Sequence, residues 1–171
     1  NAEVMERIFP GRFSPDEKNK ISIEKEIQYR AEFKPFLKLI DGLDLFLEKA
    51  KANGWKMAIG SAAIMSNVDF VLDGLQIRHY FDAVISADEV TNSKPDPETF
   101  LCCLAALQAD PAHCIVWEDG PKGVESALNA GMKSVVLTTM HEAHEFSQYP
   151  NILLFTPDFT HPDLQKILDD N

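Results

Sequence analysis

The amino-acid sequence predicts an α/β protein built on a Rossmann-like, doubly wound parallel sheet. Two patterns carry that prediction. Short continuous apolar runs of strand character recur at residues 56–60, 83–86, 114–117, 134–137 and 152–155, and helical patterns of about three turns separate most of them. Strands that are apolar throughout, rather than alternating, belong to parallel sheets covered on both faces. The chain, 171 residues and 45% hydrophobic, is long enough for one domain with a real core and a small appendage.

Taken in order, the first third is helical. Ser14-Pro15-Asp16-Glu17 starts a helix: Ser as N-cap, Pro at the first helical position, then two acids at the positive end of the dipole. The stretch to Phe33 carries Ile23, Ile27 and Tyr29 among many charges, a thin apolar face that Lys34-Pro35 ends. A second helix spans Gly42 to Asn53, with Leu43, Phe46, Leu47 and Ala50 spaced i, i+3, i+4, i+7 and Gly54 as its stop. After the strand at Lys56–Gly60 a helix runs through Val68, Val71, Leu72 and Leu75. The strand at Ala83–Ser86 leads to a helix over Asp96–Ala109, and the strand at Cys114–Trp117 to one over Lys122–Asn129 that ends at Gly131. Ser134–Leu137 and Ile152–Phe155 complete the pattern.

Composition excludes several function classes. A net charge of −11, from 16 Lys+Arg against 27 Asp+Glu, does not fit a nucleic-acid binder. The longest clean apolar run, Phe100 to Leu107, is far short of the ~20 residues that span a bilayer, so no membrane partner is expected. Three cysteines, two of them adjacent at Cys102 and Cys103, do not make a disulfide framework. With no secretory leader pattern in view, a cytoplasmic protein is the expectation.

In a doubly wound fold, ligands bind beyond the carboxyl ends of the strands. Gly60-Ser61-Ala62-Ala63 follows the first strand, and offers either an anion cradle of hydroxyl and backbone N–H groups or merely a tight turn. Lys94, ahead of Pro95, is either a phosphate-neutralising point charge or a solvated loop lysine. Glu118-Asp119 follows the third strand; two carboxylates there suit Mg²⁺, though Asp119 could equally be a plain N-cap. Together they outline a phosphate-plus-metal site. Rival motifs are weak: Gly120-Pro121-Lys122-Gly123 is no P-loop, and His141-Glu142-Ala143-His144 has i, i+3 rather than i, i+4 histidines, the mark of a solvated turn.

The Ser61 turn, the Lys94-Pro95-Asp96-Pro97-Glu98 segment and the Glu118-Asp119-x-x-x-Gly123-x-x-x-Ala127-x-x-Ala130-Gly131 stretch resemble motifs two, three and four of the haloacid dehalogenase superfamily. The likeness is to the phosphatase branch that includes β-phosphoglucomutase, and Asn67–Leu72 and Tyr80-Phe81-Asp82 fit the same branch. The resemblance implies a core over residues 37–171, with residues 1–36 a remnant of the family's helical cap. It implies that Ser61 and the amide of Ala62 bind the transferring phosphoryl group, that Lys94 bridges that group and the nucleophile, and that Asp119, with Glu118, holds Mg²⁺. Lys25 either falls where β-phosphoglucomutase has a substrate-contacting cap lysine or is a plain surface lysine. Trp117 and Gly120 stand where Phe and Ser or Ala are commoner, without touching a ligand.

One departure is large. The family's first motif, Asp-x-Asp, supplies the nucleophile and the general acid/base, and no Asp-x-Asp occurs in these 171 residues; Leu39 and Val71 stand two before Asp41 and Asp73. The chain reads as a polypeptide lacking its first strand, which in the family lies between those at Lys56 and Cys114. Either another segment fills that slot, from upstream or by self-association, or its two neighbours close up. The implied parent is a Mg²⁺-dependent phosphatase of a small, sugar-type phosphorylated metabolite working through an aspartyl-phosphate, with this chain inactive alone. A phosphomutase and a non-catalytic phosphate- or partner-binding fragment are the alternatives. A carbon-attacking dehalogenase is disfavoured, because its branch tends to lack the acid pair.

Overall fold

The computed structural model describes residues 6–169, which fall into two compact units divided between Leu37 and Lys38. In the first unit, α1 (Pro15–Phe33) starts at a complete capping box: Ser14 Oγ accepts from the Glu17 amide, and the Glu17 carboxylate accepts from the Ser14 amide. A single 3₁₀ turn, Lys34–Phe36, follows it. No residue of α1 is buried, and Ile23, Ile27 and Tyr29 lie exposed on it.

The second unit runs α2 (Leu43–Ala52), β1 (Ala58–Gly60), α3 (Met65–Gly74), β2 (Ala83–Ile85), α4 (Glu98–Leu107), β3 (Ile115–Glu118), α5 (Pro121–Asn129), β4 (Lys133–Leu137), β5 (Ile152–Thr156) and α6 (Pro162–Asp169). All strand pairs are parallel, as the apolar runs predict: β1 with β2, β3 with β4 and β4 with β5. They form two sheets, not one. Among the described residues β1 pairs only with β2 and β3 only with β4, so β1 and β3 are not hydrogen-bonded to each other.

Helices cover both faces. Successive strand residues point to opposite sides. Val116 of β3 packs with Phe100 and Leu104 of α4 and Ala127 of α5, whereas Trp117 turns to Phe46 and Ala50 of α2. On β1, Ile59 joins Leu47 of α2 and Val68 and Leu72 of α3, whereas Gly60 faces Phe100 and Cys103 of α4. Helix α4 therefore serves both sheets from one side.

Two expectations need correction. Helix α4 begins at Glu98 rather than Asp96, because residues 94–97 form turns and the Asp96 carboxylate accepts from the Glu98 amide. It ends at Leu107, because Gln108 takes up the left-handed conformation, φ 52°, without a glycine to signal it. Helix α6 is an addition: Pro162 opens it and Leu164 is buried, a start signal within His161-Pro162-Asp163 that the strand-centred reading passes over. His141 precedes and His144 lies within a short 3₁₀ turn, Ala143–Phe146, and they pair with Glu145 and Glu142 respectively, as in a solvated turn.

Candidate active site

The site is assembled around Lys94. Its ammonium donates to the Gly60 carbonyl at 3.0 Å and to Glu118 Oε1 at 2.5 Å, tying the carboxyl end of β1 to that of β3 across the unpaired edges. Its side chain is 11% exposed and that of Glu118 14%. A solvated loop lysine is excluded. Ser61 follows Gly60 and Asp119 follows Glu118, so the ammonium joins the chain neighbours of those two candidates.

The loop that carries Lys94 is held by carboxylates. Glu98 accepts from the Thr91 and Asn92 amides, both at 2.8 Å, and Glu89 accepts from the Ser86 hydroxyl and amide. Ser126 Oγ and Asn129 Nδ2 of α5 fasten the Asp96 and Pro95 carbonyls, so the loop is fixed to the helix after β3. The Thr91 and Asn92 amides lower the pKa of Glu98, and the Ser86 hydroxyl and then its amide lower that of Glu89. A depressed carboxylate stabilises the loop above the unfolded pKa, about 4.3 for Glu, and that contribution is lost as pH falls through the folded value. Amide exchange at Thr91 and Asn92, corrected for its intrinsic rate, is expected to be slow above about pH 5 and to accelerate below about pH 4. Protection unchanged down to about pH 3 would refute the clamp.

Ser61 sits in a turn that is both tight and open. Its amide donates to the Ile85 carbonyl at 2.8 Å, and its hydroxyl oxygen accepts from the Ala63 amide at 3.1 Å. The Ala62 amide has no hydrogen-bond partner among the described residues, and Ala62 is an exposed residue. The next turn is anchored to the loop after β2, where the Met65 amide donates to Asp88 and the Ala87 amide to the Ala63 carbonyl.

The acid pair divides its work. Glu118 ends β3, its carboxylate lying against Gly123 so closely that a Cβ there would overlap it. Asp119 is no N-cap: Gly120 caps α5 and contributes no side-chain bond. The Asp119 carboxylate is exposed and has no partner among the described residues. An unpaired hard-oxygen donor beside a second carboxylate fits Mg²⁺, which takes one or two protein carboxylates and fills its other positions with phosphate and water. Among the described residues no set of three or more His, Cys, Asp or Glu side chains could hold a metal by itself.

Lys25 lies on α1 in the first unit, exposed, with its ammonium 3.2 Å from Glu26. Cys103 is buried in α4, its Sγ 3.6 Å from the Ile59 carbonyl, and burial pushes its thiol up to about 11. It packs and donates; it is no thiolate nucleophile. Sequence reasoning gave no role to Phe100, whose only signal is that it follows Lys94 by six residues, and it placed Gly60 in the turn and Gly123 in the motif without showing what either glycine makes room for.

A sequence model of the haloacid dehalogenase-like hydrolase family matches residues 5–137, more than three quarters of the chain. The chain belongs to that family. It is 42% identical over 79 residues, 46% of its length, to a fructose-1-phosphate phosphatase of Escherichia coli (strain K12), covering 42% of that protein. It is 29% identical over 80% of its length to a phosphorylated carbohydrates phosphatase of Thermotoga maritima, covering 64% of it. The chain thus spans less than two thirds of either relative. Among solved structures it resembles a family IA, variant 3 hydrolase of this superfamily from Entamoeba histolytica, with a TM-score of 0.85 and 26% identity over 100% of this chain and 79% of that one. It is similar also to the β-phosphoglucomutase of Clostridium difficile, with a TM-score of 0.81 and 26% identity over 99% and 77%. No helix among the described residues is long and apolar enough to cross a membrane.

Proposed function

We propose that this chain holds the phosphoryl-binding and metal-binding half of a phosphatase that acts on small, sugar-type phosphorylated metabolites. The observation that carries the reading is the Lys94 ammonium, shared between the Gly60 carbonyl and Glu118, with the open Ser61–Ala62 turn and the unpaired Asp119 next to its two partners. Ser61 and the Ala62 amide bind the phosphoryl oxygens, and Lys94 offsets the charge that grows on them in the transition state. Asp119, with Glu118 beside it, holds Mg²⁺, which when bound supplies further neutralisation of phosphate charge.

These groups bind and stabilise; none attacks phosphorus. The nucleophile is an Asp from an Asp-x-Asp strand seated between β1 and β3, absent from these 171 residues. Residues up to 36 belong in this reading to the family's substrate-selecting cap. The phosphatase-named relatives support the sugar-type substrate class. The likeness to a β-phosphoglucomutase supports a second outcome, in which the phosphoryl group passes to another sugar hydroxyl instead of water.

The test supplies an Asp-x-Asp strand ahead of residue 1 and measures phosphate release from an aryl phosphate with Mg²⁺. Turnover is expected from the extended polypeptide and none from the 171 residues alone. An extended polypeptide that binds Mg²⁺ and releases no phosphate from aryl or sugar phosphates would sink the reading.

A further inference from the structure

The ring of Phe100 is the third contact on the Lys94 ammonium, and it differs in kind from the other two. An ammonium carries three hydrogens and accepts none; here the Gly60 carbonyl and Glu118 each take one. The ring centroid of Phe100 lies 4.4 Å from Nζ, within range for a cation held over an aromatic face. Phe100 is itself buried, in the cluster that joins Leu104 of α4, Val116 of β3 and Ala127 of α5. It also abuts β1: a Cβ on Gly60 would come within 3.2 Å of two of its ring carbons. One side chain thus floors the ammonium, spaces the strand end whose carbonyl that ammonium bonds, and packs on the strand that presents Glu118.

We propose that Phe100 is a positioning residue for Lys94: its ring face fixes the ammonium at the height where it meets both strand ends, so that its exposed edge is presented to the anion. This rests on the functional reading given above. A ring suits this place because it attracts the cation without taking a hydrogen, so it does not compete with the phosphoryl oxygen for a donor.

The experiment uses the 171-residue chain with inorganic phosphate as ligand. The ε-methylene proton signals of Lys94, assigned by comparison with Lys94→Met, report the ring directly. Phe100→Leu is expected to move them toward the position of an exposed lysine and to weaken phosphate binding about threefold to tenfold. A second variant carries a 3,5-difluorinated phenylalanine at position 100, which keeps the shape and the fold but weakens the ring face. It is expected to weaken phosphate binding in the same direction at an unchanged melting temperature. In a Lys94→Met background both changes at position 100 are expected to lose their effect on phosphate. Unmoved methylene signals in Phe100→Leu, full affinity with the fluorinated ring, or an equal loss in the Lys94→Met background would each overturn the proposal. Wild-type chain that binds no phosphate, or Lys94→Met that binds it as well as wild type, takes down the functional reading instead; the methylene signals then decide on Phe100 alone.

Discussion

Lys94→Met is expected to cost about 3 kcal/mol of stability and, in a polypeptide extended by an Asp-x-Asp strand, to lower kcat/KM by a factor of about 10² to 10³. The stability loss does not measure the worth of the ion pair. Removing one partner leaves the Glu118 carboxylate, 14% exposed and pressed on Gly123, without its cation. That uncompensated charge, rather than lost attraction, dominates such truncations. Glu118→Gln is expected to cost somewhat less, because an amide still accepts from the ammonium and carries no charge of its own to desolvate. The combination Lys94→Met with Glu118→Gln removes both charges, and its cost is expected to fall below the sum of the single costs by at least about 1.5 kcal/mol. Urea unfolding of the four proteins measures this. Additive costs would show that Lys94 and Glu118 act independently, and the bridge between β1 and β3 would lose its energetic meaning.

The parallel strands and most helix boundaries were legible because continuous apolar runs and cap residues are local signals. Ser14 and Glu17 announce α1, and Gly131, with φ 76°, marks the stop after α5. The ends of α4 were not legible: the Asp96 carboxylate delays its start, and Gln108 ends it in a conformation that usually calls for glycine or asparagine. The division into two sheets was not itself read from the sequence; the absent Asp-x-Asp led to the expectation of a missing strand, and among the described residues β1 pairs with β2 and β3 with β4.

At the site, Ser61, Lys94 and Glu118-Asp119 stood out as chemistry at strand ends. Which carboxylate pairs with the lysine and which stays open could not be read from two adjacent acids. The end of β3 decides it: Glu118 is the last strand residue and turns inward to Lys94, while Asp119 begins the exposed turn. The supports were hidden for the same reason. Phe100 looks like any core aromatic, and the motif that contains Gly123 does not say what the glycine makes room for until Glu118 is placed beside it.

Gly123→Ala is the sharper test, because two principles give it opposite signs. Gly123 lies within α5, where alanine is favoured by about 1 kcal/mol. Yet an alanine Cβ would overlap the Glu118 carboxylate, and the α5 backbone beside it is fixed by Ser126 and Asn129 on the Lys94 loop. The carboxylate must leave, and it takes the partner of Lys94 with it; an ammonium only 11% exposed is then short of its anion. The expected net result is a loss of about 2 kcal/mol, with the burial penalty outweighing helix propensity. In a Glu118→Ala background the obstacle is gone, and the same substitution is expected to stabilise by about 0.5–1 kcal/mol. That reversal of sign, read from urea unfolding of the two pairs, separates a glycine kept for the carboxylate from one kept for the backbone. If Gly123→Ala destabilises equally in both backgrounds, Glu118 is not what the glycine makes room for, and the placement of the acid pair fails with it.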